Sequence, residues 1–147
     1  MKIDRRSFVK KTCSCLTAPW VVTLFSGCEA TRYVSGTLEP NGISLIVSEF
    51  VSTKDEKTTY RPYIIIRNEQ LEYPICLYRF SEKDYSALLM KCTHQGTELQ
   101  AAGDHLQCPA HGSEFNNRGT VAQGPAQLNL RAFPVQVMND KLLIELK

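Results

Sequence analysis

The sequence has few of the residues that build a disulfide framework or a nucleic-acid surface. Three of its six cysteines, Cys76, Cys92 and Cys108, follow residue 28, and such an odd, sparse set is a poor disulfide framework for an exported domain. Without residues 1–28 the chain carries 12 basic and 14 acidic residues, so no basic patch for nucleic acid is expected. These shortages exclude a disulfide-stapled fold and a nucleic-acid-binding protein.

The sequence also lacks a long amphipathic helical pattern, an internal repeat and a low-complexity tract. Short β-type runs are instead separated by turn residues at roughly 8–12-residue spacing. This pattern predicts an all-β fold, an antiparallel sandwich or barrel. The runs are residues 43–50, 60–67, 73–80, 85–91, 128–138 and 142–146.

The N-terminus concentrates basic charge and is then uncharged. Residues 4–11 read Asp-Arg-Arg-Ser-Phe-Val-Lys-Lys, and the next 17 residues, ending at Cys28, carry no charge. The arginine pair, the Phe and Lys that follow it and the uncharged run resemble a twin-arginine leader. Residues 24–28, Leu-Phe-Ser-Gly-Cys, resemble a lipobox, in which the cysteine is lipidated after cleavage.

Three interpretations of residues 1–28 stay open: a lipoprotein signal processed at Cys28, an uncleaved signal anchor, and a cytosolic protein with a chance arginine pair. The favoured prediction is export by the twin-arginine route to the outer face of the cytoplasmic membrane or the periplasm, with membrane attachment through the N-terminus. Residues 29–42 contain Gly36, Pro40 and Gly42 and are predicted to be a linker. Residues 43–147 are predicted to be the folded domain.

Residues 92–127 interrupt the strand pattern. They hold five of the eight glycines, all three histidines and few apolar runs, so this stretch is not expected to form a sizeable core of its own. It contains two short motifs: residues 92–96, Cys-Thr-His-Gln-Gly, and residues 108–113, Cys-Pro-Ala-His-Gly-Ser. A metal cluster could organise the stretch, because ligation supplies folding free energy directly.

The spacing within the motifs suits two paired loops. Cys92 and His94 are two residues apart, so both side chains can project the same way from an extended loop. Cys108 and His111 are three apart, which suits a tight turn, and 13 residues separate His94 from Cys108. Two loops that each give one Cys and one His resemble the Rieske [2Fe–2S] family, in which two cysteines hold one iron and two histidines hold the other.

The resemblance extends beyond these four residues. Ser113 follows the second His-Gly, as in Rieske proteins of quinol-oxidising cytochrome bc complexes, where that hydroxyl bonds to a cluster sulfur. Residues 124–130, Gly-Pro-Ala-Gln-Leu-Asn-Leu, resemble the proline loop that covers the cluster in that family. The resemblance implies a Rieske-type β-sandwich or barrel with one [2Fe–2S] cluster per chain in a loop-rich subdomain of about residues 90–127. The cofactor-binding set that it implies is Cys92, His94, Cys108, His111 and Ser113, the first four as metal ligands.

The sequence also departs from the family pattern. Rieske subunits of bc complexes carry one further cysteine in each loop and join the loops by a disulfide, but these positions are Thr97 and Ala110 here. A family tyrosine two residues after the serine is Phe115, which cannot donate a hydrogen bond to a cysteine sulfur. Such a donor stabilises the reduced, more negative cluster, so its absence lowers the reduction potential. We therefore expect an intermediate potential within the Rieske range of roughly −150 to +300 mV.

A zinc site is the alternative for the same four residues, since Cys₂His₂ is also a zinc ligand set. The Cys-x-His spacing, the Gly-Ser after the second histidine and the proline loop have no role in a zinc finger, however. We expect His105 to lie at the surface or beside the ligands, and Cys76 to be a small buried hydrophobic residue.

The family resemblance implies one-electron transfer, with three possible contexts. The first is a subunit of a quinol:cytochrome c oxidoreductase-type complex, with a cytochrome b-type quinol-oxidising subunit and a cytochrome c-like acceptor. The second is the small Rieske subunit or carrier of a periplasmic oxidoreductase such as arsenite oxidase, and the third is a ferredoxin-like carrier. An oxygenase catalytic subunit is not expected, because its separate iron site needs two more histidines and only His105 remains. We therefore expect an electron-transfer subunit and not an enzyme by itself.

Overall fold

The structure is a computed structural model that describes residues 30–54 and 56–147. The predictions for the leader and for Cys28 therefore lie outside the described residues. The described part contains fifteen strands, a 3₁₀ helix at Val47–Phe50 and no α-helix, which confirms the predicted all-β fold. Within these residues no helix has the length and apolar character that a membrane span requires.

The strands form three sheets and one separate hairpin. In spatial order, the first sheet consists of β1 (Tyr33–Val34), β6 (Tyr63–Ile66), β7 (Ile75–Arg79), β8 (Tyr85–Leu89) and β13 (Ala132–Phe133). The second sheet consists of β14 (Val135–Met138), β15 (Lys141–Glu145), β3 (Gly42–Ile46) and β2 (Thr37–Glu39). The third consists of β12 (Val121–Gln123), β11 (Glu114–Asn116), β10 (His105–Gln107) and β9 (Gln100–Ala102), and the hairpin of β4 (Val51–Lys54) and β5 (Lys57–Tyr60).

The first sheet is buried on both faces. Side chains alternate along a strand, so Ile64 and Ile66 of β6 lie on one face and Ile65 lies on the other. Ile64 and Ile66 belong to a core that includes Leu142 of the second sheet. Ile65 belongs to a different core that includes Cys76 of β7. This explains the unbroken run of isoleucines, because a strand that is buried on both faces needs apolar residues at every position.

The third sheet lies within the stretch that was predicted to be loop-rich. Each of its strands is three residues long, and the two central strands each add one fully buried side chain, Leu106 and Phe115. These two pack with Cys92, Cys108 and Leu88 in the core on the second face of the first sheet. The stretch thus shares a core with the first sheet. Its strands were not predicted from the sequence, because three residues are too few to show the alternation of apolar and polar residues that indicates a strand.

The predicted linker, residues 29–42, also differs from the structure. It contains β1, which pairs in parallel with β6, and β2, which pairs antiparallel with β3. Gly36 lies between the two strands with φ of +66°, a left-handed conformation that glycine adopts without steric cost. The chain uses that turn to pass from the edge of one sheet to the edge of another.

A polar contact connects the first and third sheets at the surface. The two terminal guanidinium nitrogens of Arg118, Nη1 and Nη2, donate to the carboxylate of Asp84 at 2.8 and 2.6 Å. The same guanidinium lies 3.6 Å from the ring centroid of Phe80. Arg118 follows β11 while Phe80 and Asp84 lie between β7 and β8, so this contact helps to fix the third sheet, which carries one of the two motifs, against the first.

Candidate metal centre

The first motif forms a loop closed by two backbone hydrogen bonds. The N–H of Cys92 donates to the carbonyl oxygen of Thr97 at 2.8 Å, and the N–H of Gly96 donates to the carbonyl oxygen of Cys92 at 2.8 Å. Gly96 has φ of +78°, a conformation that favours glycine. The loop starts just after β8, and a bridge between Lys91 and Glu98 joins its two ends.

The second motif forms a loop with the same hydrogen bonds. The N–H of Cys108 donates to the carbonyl oxygen of Ser113 at 2.8 Å, and the N–H of Gly112 donates to that of Cys108 at 3.0 Å. Gly112 has φ of +75°. This loop connects β10 to β11, which pair antiparallel, so the third sheet sets its position.

The structure brings the four predicted ligands together as two pairs. Cys92 and Cys108 are both 2% exposed and belong to the same buried core. His94 and His111 are exposed, and their ring centroids are 5.0 Å apart with the rings nearly perpendicular. Among the described residues, no three or more His, Cys, Asp or Glu side chains are grouped to hold one metal ion. A buried sulfur pair therefore lies beside an exposed imidazole pair.

The surroundings of Cys108 favour a thiolate. Burial by itself raises the pKa of the Cys108 thiol. The backbone N–H of Ala110, the thiol of Cys92, the backbone N–H of His111 and the hydroxyl of Thr97 outweigh burial, and together they lower this pKa. Thiolate sulfur is the form that binds metal, so this position suits a metal ligand.

Ser113 is fully buried beside the second loop. Its Oγ accepts a hydrogen bond from the backbone N–H of Ala126 at 3.0 Å. A hydroxyl has one proton and two acceptor sites, so the Ser113 hydroxyl can still donate a hydrogen bond to another acceptor. At the first loop, the hydroxyl of Thr93 donates to the carbonyl oxygen of Leu128 at 2.6 Å. Residues 124–130 thus contact both loops, and the sequence analysis missed the role of Thr93.

The surface next to His94 contains a cavity of about 610 Å³, which is lined by residues that include Tyr73, Lys91, Leu128 and Arg131. Leu128 is 70% exposed, a high value for a leucine. The imidazole side of the site therefore adjoins a surface with both apolar and basic side chains.

The remaining cysteine and histidine of the described part have other surroundings. Cys76 is fully buried in β7, where burial raises its pKa to about 12, and this confirms the prediction of a small buried residue. His105 is partly exposed on β10, with Nδ1 3.1 Å from the carboxylate of Asp104. Neither side chain joins the two pairs.

Comparisons with known proteins agree with this geometry. Residues 53–134, more than half of the chain, match the Rieske [2Fe-2S] domain family. The chain is 32% identical over 112 residues to the cytochrome b6-f complex iron-sulfur subunit of Trichodesmium erythraeum, a match that covers 69% of this chain and 56% of that protein. It is 39% identical over 83 residues to the oxygenase component of dicamba O-demethylase from Stenotrophomonas maltophilia, covering 50% of this chain and 24% of that protein. The chain thus spans about half or less of the length of these relatives.

Among solved structures, the fold is similar to the plasma membrane Rieske protein PetC3 of Synechocystis PCC 6803. The TM-score is 0.50 at 25% sequence identity, with 57% of this chain and 86% of that one covered. The two loops, the paired side chains and the family match agree. The chain belongs to the Rieske [2Fe-2S] domain family, and its cofactor is accordingly a [2Fe–2S] cluster.

Proposed function

We propose that Cys92, His94, Cys108 and His111 hold the [2Fe–2S] cluster and that the chain transfers one electron at a time. The observation that carries this proposal is the separation of a buried thiol pair from an exposed imidazole pair. In a Rieske centre two cysteines ligate one iron and two histidines ligate the other. The side chains present therefore fit the group in number, chemistry and grouping.

The protein's own groups set the conditions for that transfer. The bound cluster supplies a one-electron couple. The backbone N–H groups of Ala110 and His111 lower the pKa of the Cys108 thiol, which favours negative charge on this sulfur where water is excluded. The proton of Ser113 is available to a cluster sulfur for the same purpose. The exposed imidazoles of His94 and His111 give a partner protein its contact with the site.

The proposed partners are a cytochrome b-type quinol-oxidising subunit and a cytochrome c-like acceptor. The relative from Trichodesmium erythraeum is a subunit of a cytochrome b6-f complex, and Ser113 and residues 124–130 match the pattern of Rieske proteins in quinol-oxidising complexes. Exposed Leu128 and the cavity beside His94 offer an apolar contact next to the imidazoles.

The test is purification of the full chain from membranes of its native host, followed by EPR spectroscopy of the reduced sample and identification of the proteins that co-purify. We expect the anisotropic signal of a reduced Rieske centre and a b-type haem protein in stoichiometric amount. A colourless, EPR-silent protein that contains zinc would refute the cluster. A Rieske signal without any b-type haem protein would refute only the proposed complex.

We further propose export by the twin-arginine route and attachment to the outer face of the cytoplasmic membrane through lipid on Cys28. One acyl chain gives only marginal membrane binding, so stable attachment needs more than one chain on this cysteine. Changing Cys28 to Ala should move most of the protein from the membrane fraction to the soluble periplasmic fraction, or leave it as unprocessed precursor. If the variant stays in the membrane at the same length as the wild type, the leader is an uncleaved anchor.

Restoring a hydroxyl at position 115 should raise the reduction potential. Phe115 is fully buried in the same core as Cys92 and Cys108 and stands where the family pattern has a tyrosine, so Phe115→Tyr introduces the donor that the family carries at this position. If the new bond is stronger to the reduced cluster by roughly 1–1.5 kcal/mol, the one-electron potential rises by about 40–65 mV. Protein-film voltammetry measures this shift. A fall, or no change in a variant with full cluster content, would contradict this account.

A further inference from the structure

The cavity beside His94 has basic side chains in its wall and no acidic ones. Lys91 and Arg131 line it, and none of its described lining residues is an aspartate or a glutamate. A groove of about 640 Å³ along β1, β2 and β3 is balanced in charge, since two basic and two acidic residues line it: Arg32, Lys141, Glu39 and Glu49. The excess of positive charge is therefore a property of the cavity beside His94 and not of both hollows.

The charge of Arg131 is held by neutral groups. Its Nη2 donates to the carbonyl oxygen of Leu146 at 3.2 Å, and its guanidinium carbon lies 4.8 Å from the ring centroid of Phe133. These contacts fix the side chain and leave its positive charge in place. Because Arg131 is exposed, this charge acts on a molecule that approaches the cavity.

The charge of Lys91 is offset only in part. Its Nζ lies 4.7 Å from the ring centroid of Tyr73 and 3.9 Å from a carboxylate oxygen of Glu72. The Glu72 side chain is 79% exposed, and an ion pair that is open to water is weak. Lys91 directly precedes the first loop, so its charge keeps a fixed place beside His94.

This local positive charge opposes the charge of the folded part of the chain. Residues 29–147 carry 12 basic and 14 acidic side chains, so net charge alone would favour a basic partner. Leu128, which is 70% exposed, lies in the wall of the same cavity. The surface that surrounds the exposed imidazole thus combines an apolar contact with two cations.

We propose that the electron acceptor that docks over His94 is an acidic protein, whose carboxylates face Lys91 and Arg131 around an apolar contact with Leu128. This inference rests on the proposed function, in which His94 lies at the exposed edge of the cluster. Opposite charges on two docking surfaces raise the association rate and select the partner. Lys91 and Arg131 thus determine which acceptor reacts fast, and they do not touch the cluster.

The first experiment measures how fast two small complexes of opposite charge oxidise the reduced, cluster-loaded, full-length protein. One electron leaves the cluster and reduces Fe(III) in the hexacyanoferrate trianion or Co(III) in the tris(phenanthroline)cobalt trication. At about 0.01 M ionic strength, the variant with both Lys91→Gln and Arg131→Gln should react about tenfold more slowly with hexacyanoferrate and about tenfold faster with the cobalt complex. At about 1 M both differences should disappear, because the Debye length is then about 3 Å.

Lys141→Gln is the matched control for the loss of charge. Lys141 is exposed on β15, in the sheet that packs on the face of the first sheet opposite to the core of Cys92 and Cys108. Its replacement should leave both rates within about a factor of two, since screening weakens a distant charge. Arg131→Lys keeps the positive charge and should also keep both rates.

The second experiment uses two c-type cytochromes as acceptors, one with carboxylates around its haem edge and one with lysines there. At low ionic strength the double variant should lose about tenfold in rate with the acidic cytochrome and should gain in rate with the basic one.

Equal rates with both small complexes, in a double variant with intact absorption and EPR signals, would overturn the proposal. So would a double variant that reacts with both cytochromes as the wild type does, because the cavity would then attract small anions and not an acidic protein. A wild-type protein that contains no [2Fe–2S] cluster would instead refute the proposed function.

Discussion

Changing Cys108 to Ser should remove the cluster from the protein. Cys108 is 2% exposed and belongs to the same buried core as Cys92, and a serine hydroxyl in its place does not ionise at neutral pH to replace the thiolate. Loss of groups that only orient a ligand costs about 10–100-fold in metal affinity, so loss of the ligand itself should cost at least about 100-fold. The visible absorption and the reduced EPR signal of the purified variant should both disappear.

The matched control for this experiment is Cys76→Ala. Cys76 is also fully buried and belongs to the same core as Cys108, but it lies in β7 and not in either loop. The control variant should keep its full cluster content, with at most a modest loss of stability. A Cys76 variant without cluster and a Cys108 variant with cluster would together contradict the proposed ligand set.

Changing Ser113 to Ala should have two effects of different kinds. If the Ser113 proton bonds to a cluster sulfur, and that bond is stronger to the reduced than to the oxidised cluster by roughly 1.5–3 kcal/mol, its loss lowers the potential by about 65–130 mV. The backbone N–H of Ala126 also loses its acceptor in a buried position. An unsatisfied buried donor costs about 1–3 kcal/mol, so the unfolding midpoint in urea should fall as well.

Thr93→Ala serves as the comparison for the serine variant. The hydroxyl of Thr93 holds the other end of the proline-loop segment through the carbonyl oxygen of Leu128 at 2.6 Å. Its removal should loosen residues 124–130 and leave the Ser113 donor in place, so stability should fall with a much smaller change in potential. Equal potential shifts in both variants would mean that the loop, and not the Ser113 proton, sets the potential.

The sequence was sufficient to predict the all-β fold and the candidate ligands, because both depend on local patterns. Two Cys–His pairs at short spacing identify a pair of loops without knowledge of the sheets that carry them. The run Ile64 to Ile66 predicted a strand, but its burial on two faces depends on two sheets that are distant in sequence. Only the structure shows that Ile65 belongs to the core that contains Cys92 and Cys108, the two proposed ligand cysteines.

Other features could not be predicted, because they depend on contacts between distant segments. β1 and β2 are two and three residues long and exist because sheet edges are available to pair with them. Thr93 likewise gains its role from Leu128, which is 35 residues away.

The nearness of the two exposed imidazoles has a consequence for turnover. His94 and His111 share one small patch, with ring centroids 5.0 Å apart, while the sulfur side is enclosed by protein. An electron donor and an electron acceptor that both approach through this patch exclude one another. Under the proposed function, each round of electron transfer would then consist of two successive encounters with a release between them, and the lifetime of each encounter would limit how fast electrons pass.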